Sequence, residues 1–257
     1  MIIKIINKII FLLQIFFSNK LFFDVCKSQN NNKENIFLTY LGDFINNKNF
    51  VEIGFHHMEF NCLGLIEKNY KGLMIDGGRL TNILLLKIIF LIIKKKVKVI
   101  KKYLTLENIF QSIDFKKIGC LSLDIDGNDY WILKKIINDN ILPEVIIVEY
   151  NASFLDKNIS VPYDKNFDRK KKHYSGFYHG ASLSAFYKLL NKSNYHLVKS
   201  IGGSNAIFIN EDLFKKTSLK SYLPDEIYQE CCLRNKWSNT TAIEQYEKIK
   251  HLEFENV

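Results

Sequence analysis

The sequence predicts an α/β fold: a mostly parallel sheet, doubly wound by helices, that ends in an antiparallel hairpin. Three observations carry this. Short apolar runs alternate with helical stretches from Asn49 onward, as repeated βαβ units require. The runs are continuously apolar, which suits strands covered on both faces. Late in the chain, "YHLVKSIGGSNAIFIN" reads as two strands joined at Gly202-Gly203.

The elements follow in order. "FVEIG" (Phe50 to Gly54) is a strand and "EFNCLGLIEKN" (Glu59 to Asn69) a helix. "GLMID" (Gly72 to Asp76) is a second strand, followed by a helix from Leu80 to Lys96 and a short third strand, "VKVI". "TLENIFQSI" is a brief helix. "CLSLDID" is the fourth strand and Asp129 to Asn138 the helix after it. "EVIIVEY" (Glu144 to Tyr150) is the fifth strand. "SLSAFYKLLNKS" is a helix with Ser182 as its cap, leading into the hairpin. This element order is the arrangement of Rossmann-like class I methyltransferases, an inference from pattern that does not by itself give function.

The chain divides into residues 1–35, an apolar amphipathic helix with a linker; 36–215, the α/β domain; and 216–257, a helical extension. In the N-terminal segment the longest uncharged run, Ile9 to Asn19, is too short to span a bilayer. Lys4, Asn7, Lys8, Gln14 and Ser18 fall roughly on one helical side. Such a helix could lie on a membrane surface or cover a core. "KSQNNNKEN" is its linker.

Net charge is +9, yet Arg occurs only at Arg79, Arg169 and Arg234. Abundant Lys, Ile, Asn and Phe together fit an AT-rich genome. A dedicated phosphate reader would use more Arg, so the charge argues against a nucleic-acid partner. Five Cys with no CxxC argue against structural zinc and a disulfide framework, and for a reducing compartment. The expected location is cytoplasmic, with the inner face of the membrane as a candidate contact.

Ligands of open parallel sheets bind beyond the carboxyl ends of the strands. Here strand one ends with Glu52 and Gly54, strand two with Asp76, strand four with Asp124 and Asp126, and strand five with Glu149. Asp76 follows Gly54 at about the spacing at which an acid meets ribose hydroxyls. Strand parity puts Asp124 and Asp126 on one face, where mutual repulsion requires a cation, hydrogen bonds or a held proton. Gly127 provides the turn and Asn128 or Asp129 the cap of the next helix, which leaves Asp126 for chemistry. Each acid also has an ordinary structural reading. Asp126 or Asn128 could be a helix cap and Glu52 a satisfied structural acid. His56 and His57 could be solvated loop residues, and "RKKK" (Arg169 to Lys172) a solvated face.

The segments "FVEIG", "KGLMIDGG", "LSLDIDGNDYWILKKI", "PEVIIVEYNASF", "SVPYDKNF", "HYSGFYHGASLSAFYKLL" and "GGSNAIFI" resemble FkbM-type and related S-adenosylmethionine-dependent methyltransferases of bacteria. The resemblance runs from about Asn49 to Asn210. It implies methyl transfer to an oxygen of a sugar or other small metabolite. It implies cofactor binding by Glu52, Gly54, Asp76 and Asp124, and acceptor binding by Glu149, Tyr150 and Asn151, with Tyr178 in the polar aromatic segment "HYSGFYHG". Candidate bases are Asp126, His173 and His179. One departure is the turn after strand one, "GFHHMEF", where Phe55, His56 and His57 replace small residues. A divalent ion such as Mg²⁺ on Asp124, Asp126 and Glu149 is a variant of the mechanism. The rival readings are a degenerate, non-catalytic protein on a membrane surface and a nucleic-acid methyltransferase.

Overall fold

A computed structural model describes residues 10–16, 18–28 and 30–257. The chain forms two compact units. The first comprises the chain up to Asp43 with Lys48–Leu104; the second comprises Phe44–Asn47 with Thr105–Val257.

The first unit carries the helices α1 (residues 10–16), α2 (Asn19–Val25), α3 (Lys33–Leu41), α4 (Leu63–Glu67) and α5 (Leu80–Ile92). Its strands β1 (Asn49–Ile53), β2 (Lys71–Asp76) and β3 (Val97–Lys101) pair in parallel, with Val51 opposite Leu73 and Leu73 opposite Lys98. The core is mainly apolar: Phe22, Leu38, Phe50, Leu65, Leu86 and Phe90 are all fully buried. Phe22 stands edge-on to Phe90, with ring centroids 5.7 Å apart. Gly72 lies directly against Phe50; a Cβ there would come within 2.3 Å of the ring.

The second unit begins with β4 (Cys120–Leu123), α6 (Asp129–Asn138), β5 (Val145–Glu149), β6 (Ile159–Ser160), α7 (Arg169–Lys172) and α8 (Leu183–Asn191). Next come the hairpin β7 (Tyr195–Ile201) and β8 (Asn205–Asn210), then α9 (Glu211–Phe214), α10 (Pro224–Ile227), α11 (Cys232–Ser238), α12 (Ala242–Glu247) and β9 (Glu255–Asn256). β4 and β5 are parallel, β5 and β8 antiparallel, and β8 and β7 antiparallel, in the order β4-β5-β8-β7. Gly202 and Gly203 both take positive φ between β7 and β8. The α/β class is therefore the expected one: parallel Rossmann-like βαβ units ending in an antiparallel hairpin. Glu144, just before β5, accepts the backbone and side-chain N–H groups of Asn46 and Asn47 at 2.6–2.9 Å. That contact explains why Phe44–Asn47 belongs to this unit.

Several boundaries differ from the sequence expectation, each for a local reason. The helix after β1 starts only at Leu63, because Glu59 instead exchanges two backbone hydrogen bonds with His56. α5 stops at Ile92 rather than Lys96: Lys94 takes φ +53°, and Lys95 N–H returns to the Phe90 carbonyl. β4 stops at Leu123, three residues short. Lys27, in the expected linker, is tied by backbone bonds to Met58 and Phe60, and Asn30, Asn31 and Asn32 form a left-handed run. The expected helix stripe at Lys4, Asn7 and Lys8 lies outside the described residues. Among the described residues no helix is long and apolar enough to cross a membrane.

Candidate active site

In the first unit, β1 ends in a turn that only glycine adopts easily: Gly54 has φ +78°, and its N–H donates to the Ile75 carbonyl at 2.9 Å. The bulky residues that follow form a tight reverse turn. His56 and Glu59 exchange N–H···O bonds of 3.1 and 2.9 Å, and the rings of His56 and His57 lie 4.2 Å apart. Glu52 does not face this turn as a free ligand. Its carboxylate is buried and accepts the N–H groups of Asn61 (2.6 Å) and Cys62 (3.1 Å), just ahead of α4. Desolvation pushes it up to about 7, against the opposing pull of those two amides. It is a positioning residue that holds the start of α4. Asp76 closes β2, half-buried, with one carboxylate oxygen accepting Gly78 N–H at 2.6 Å. That bond fixes the side chain and leaves the second oxygen as a ready acceptor.

In the second unit, the turn after β4 is organised by Asp129. Its carboxylate accepts Ile125 N–H (2.8 Å) and Gly127 N–H (2.9 Å) while fully buried. These two bonds fold the chain away from strand geometry, so the expected parity of Asp124 and Asp126 does not apply. The left-handed residue is Asp126 (φ +57°), not Gly127. Gly127 is needed for closeness instead: a Cβ there would meet the Phe167 ring at 2.3 Å. Asn128 occupies the N-cap position of α6 but makes no capping bond. Its amide holds Asp164, donating to that carbonyl at 2.8 Å and accepting its N–H at 3.2 Å. Asp126 is left exposed, and its carboxylate meets the Arg169 guanidinium at 2.5 Å. Arg169 also donates to the Gly176 carbonyl.

Asp124 and Glu149 stand one residue beyond the last register pair of β4 and β5, Leu123–Val148. They share a hydrogen bond, and burial together with the charges of Glu149, Asp126 and Asp129 pushes Asp124 well up. Desolvation, reinforced by Asp126 and opposed by Arg234 and Arg169, holds Glu149 at about 7. His179 is brought to the same place by backbone bonds. Asn151 donates from its side chain to the Phe177 and His179 carbonyls (2.7 and 2.9 Å), and from its backbone to Ala181 (2.8 Å). His179 is 1% exposed, and its Nδ1 lies 3.9 Å from Glu149 Oε2. Burial, with Arg169 and Arg234 nearby, keeps the imidazole neutral, well below its usual range. Its Nε2 has no hydrogen-bond partner.

Asp126, Glu149 and His179 thus each place a donor atom within 4.8 Å of the others. The remaining expected residues do other work. The Tyr150 hydroxyl bonds Ser200 (2.9 Å) and the Gln229 carbonyl (3.0 Å) inside the core. Asn151 is a buried scaffold. The Tyr178 hydroxyl donates to the Glu253 carbonyl within an apolar cluster of Phe154, Val161, Phe177 and Ile249. The His173 ring bonds Ser175 at 2.7 Å and sits beside His251, apart from the three converging donors.

Sequence reasoning missed both arginines. Arg234 is 4% exposed; it donates to Asn151 Oδ1 at 2.6 Å and stands 3.9 Å from Glu149. The available signal was scarcity: two of the chain's three Arg surround this acidic group, in a sequence that otherwise uses Lys.

No protein-family model and no curated protein matches the chain. Among solved structures it is similar to an O-methyltransferase from Bacillus cereus in complex with SAH, at TM-score 0.48 and 13% identity over 79% of this chain and 91% of that one. It is also similar to WbdD bound to a kinase inhibitor, at TM-score 0.48 and 10% identity; 75% of this chain matches 44% of that one, so it spans less than half of WbdD. A third is the N-terminal domain of EvdMO1 with SAH and D-fucose, at TM-score 0.46 and 9% identity over 71% and 84% of the chains. Likenesses this distant leave function to be argued from the chain's own residues.

The buried acids set the sign of a pH effect. Glu52 and Glu149 are held at about 7 and Asp129 at about 6. All three lie above their unfolded values of roughly 4. Through these three carboxyls the folded chain binds more protons than the unfolded chain between about pH 4 and 7, an effect that His179, held neutral, opposes in part. Stability is full below that window and is lost as pH rises through it, by up to about 1.4 kcal/mol per pH unit for each titrating group. Urea midpoints should fall from pH 5 to pH 8, less steeply in Glu52→Gln. A slope that is the same in Glu52→Gln as in the parent would show Glu52 to be ionised in the folded state.

Proposed function

We propose that the chain is an S-adenosylmethionine-dependent methyltransferase acting on a hydroxyl of a sugar or other small metabolite. The observation that carries this reading is the convergence of Asp126, Glu149 and a buried, neutral His179 at the end of β4 and β5. The first unit, by itself, carries a glycine turn after β1 and a pre-oriented Asp76 after β2. The residues fit the cofactor: Gly54 keeps the backbone low after β1, and the second oxygen of Asp76 can accept a ribose hydroxyl. The bulky turn at Phe55, His56 and His57 forms behind Gly54 without consuming Asp76. The SAH of two similar structures, and the D-fucose of one, belong to those proteins; in this chain the assignment stands on these residues.

The cofactor's sulfonium supplies a strongly electrophilic methyl group, so the protein's task is to orient the acceptor oxygen and take its proton. A neutral imidazole with an unpartnered Nε2 can take a proton, and Asp126, at the solvent-facing side of the group, can receive one directly or through a water. Arg169 and Arg234 offset the carboxylate charge and keep the group compact. His173 stays a weaker candidate because its ring nitrogen is engaged by Ser175.

Calorimetric titration with S-adenosylmethionine tests the cofactor assignment. Asp76→Ala should weaken binding by roughly 1.5–3 kcal/mol, the worth of a hydrogen bond to a charged group. Equal binding by variant and parent would remove Asp76 from the site. Turnover tests the second unit. Asp126→Asn should melt within a few degrees of the parent yet transfer methyl groups roughly 10²–10⁴-fold more slowly. An unfolded variant, or one with parental turnover, would make Asp126 a structural residue.

We further propose that the first unit contacts the inner face of a membrane. Along α5 the residues Leu80, Leu84, Ile88 and Leu91 are exposed at helical spacing, with Lys87 among them and Lys94 and Lys96 beyond. Such a stripe suits an anionic lipid surface. Vesicles containing phosphatidylserine should co-sediment the chain, and Leu84→Glu with Ile88→Glu should release it. If the parent stays in the supernatant at low salt, the stripe has another role.

A further inference from the structure

Among the described residues, one group of side chains has the make-up of a metal site rather than of a hydrogen-bonded triad. Asp126, Glu149 and His179 place donor atoms within 4.8 Å of one another, yet His179 Nδ1 and Glu149 Oε2 are 3.9 Å apart, too far for a hydrogen bond. His179 is 1% exposed and turns Nδ1 toward Glu149 without bonding it, while its Nε2 has no partner, so the ring is not satisfied as it stands. Ligands about 2.1 Å from one ion stand roughly 3–4 Å apart, so a small closure of the exposed Asp126 side chain would complete the set.

We propose that Asp126, Glu149 and His179 bind a single divalent transition-metal ion of the Mn²⁺ type. Charge supports this. Asp124, Asp126, Asp129 and Glu149 face Arg169 and Arg234, four carboxyl groups against two guanidinium groups. Fully ionised, they leave an excess of two negative charges, which a divalent cation neutralises. The donor set selects the ion. Mg²⁺ prefers oxygen ligands alone, whereas an imidazole with two carboxylates suits Mn²⁺, Fe²⁺ or Zn²⁺. The site therefore differs from the all-oxygen set of Asp124, Asp126 and Glu149 expected from sequence: Asp124 is the hydrogen-bonded neighbour of a ligand, and His179 is the third donor. In use, the ion would hold the acceptor hydroxyl and ease loss of its proton, with Asp126 and His179 then serving as ligands rather than as the base; that role rests on the methyltransferase reading, and the binding itself does not.

The experiment is calorimetry on the full chain, titrating MnCl₂, then MgCl₂, then S-adenosylmethionine. The parent should take up one Mn²⁺, with Mg²⁺ at least tenfold weaker. Asp126→Asn, a change at a side chain 59% exposed, should keep the fold and bind Mn²⁺ at least tenfold more weakly. His179→Gln should lose binding as well, and a melting curve would separate that loss from unfolding. Parent and Asp126→Asn binding Mn²⁺ equally, or no uptake at millimolar Mn²⁺, would overturn the site. Mn²⁺ binding without S-adenosylmethionine binding would keep the ion site and remove the methyltransferase reading; the converse would remove the ion site alone.

Discussion

The grip of Asp129 on two backbone amides is the constraint from which the second unit's acidic group follows. Ile125 and Gly127 would otherwise present unpaired N–H groups in a buried turn, at a cost of about 1–3 kcal/mol each. By accepting both, Asp129 ends β4 at Leu123 and forces the intervening residue into the left-handed region. Asp126 is that residue, and a non-glycine there carries about 1–2 kcal/mol of strain. The strain is located where the side chain must leave the sheet and face outward. Gly127, packed under Phe167, seals the turn from the other side.

A second constraint gathers the remaining members. Asn151 spends its amide nitrogen on two carbonyls of the Phe177–His179 segment and its oxygen on Ser153 and Arg234. One side chain thereby couples the end of β5, the loop that bears His179, and α11. Arg234 is the price of that arrangement: a buried guanidinium needs acceptors, and it finds Asn151 and the Glu149 carboxylate. Lysine could not substitute, because one ammonium cannot hold the planar geometry that spans both partners. In a chain otherwise rich in Lys, that requirement accounts for an Arg at each of two positions beside the acids.

Much of this was legible in the sequence. Continuous apolar runs gave strands β1, β2 and β5 within one residue at each end, since burial on both faces leaves a strong signal; β3, with Lys98 and Lys101 exposed, was legible only as a short run of β-branched residues. Ser182 capped α8 as its position promised, accepting Ala185 N–H. The end of β4 was not legible, because strand alternation continues in the letters "LDID" while the long reach of Asp129, three residues further on, decides where the strand stops. The same limit hid the grouping: His179 reads as a candidate base, not as a neighbour of Asp126 and Glu149. His179 lies thirty residues after Glu149 in the sequence and is placed by Asn151, a contact no local pattern encodes. Glu52 shows the converse. It reads as a ligand by position, but the chain's return through Asn61 and Cys62 takes up both carboxylate oxygens.

Acids at strand ends look alike in sequence, and what separates them in the structure is how many backbone N–H groups each accepts. Glu52, Asp129 and Glu144 each accept two backbone amides; they are buried, locally spent and build turns or segment contacts. Asp126 and Glu149 interact instead with arginine side chains or other acids. A carboxylate paired with backbone amides has its charge stabilised by groups that cannot leave. One paired with side chains keeps partners that can be exchanged for a substrate hydroxyl, a proton or a cation. The proposed chemistry accordingly draws on the second set, and the first set is what holds it in place.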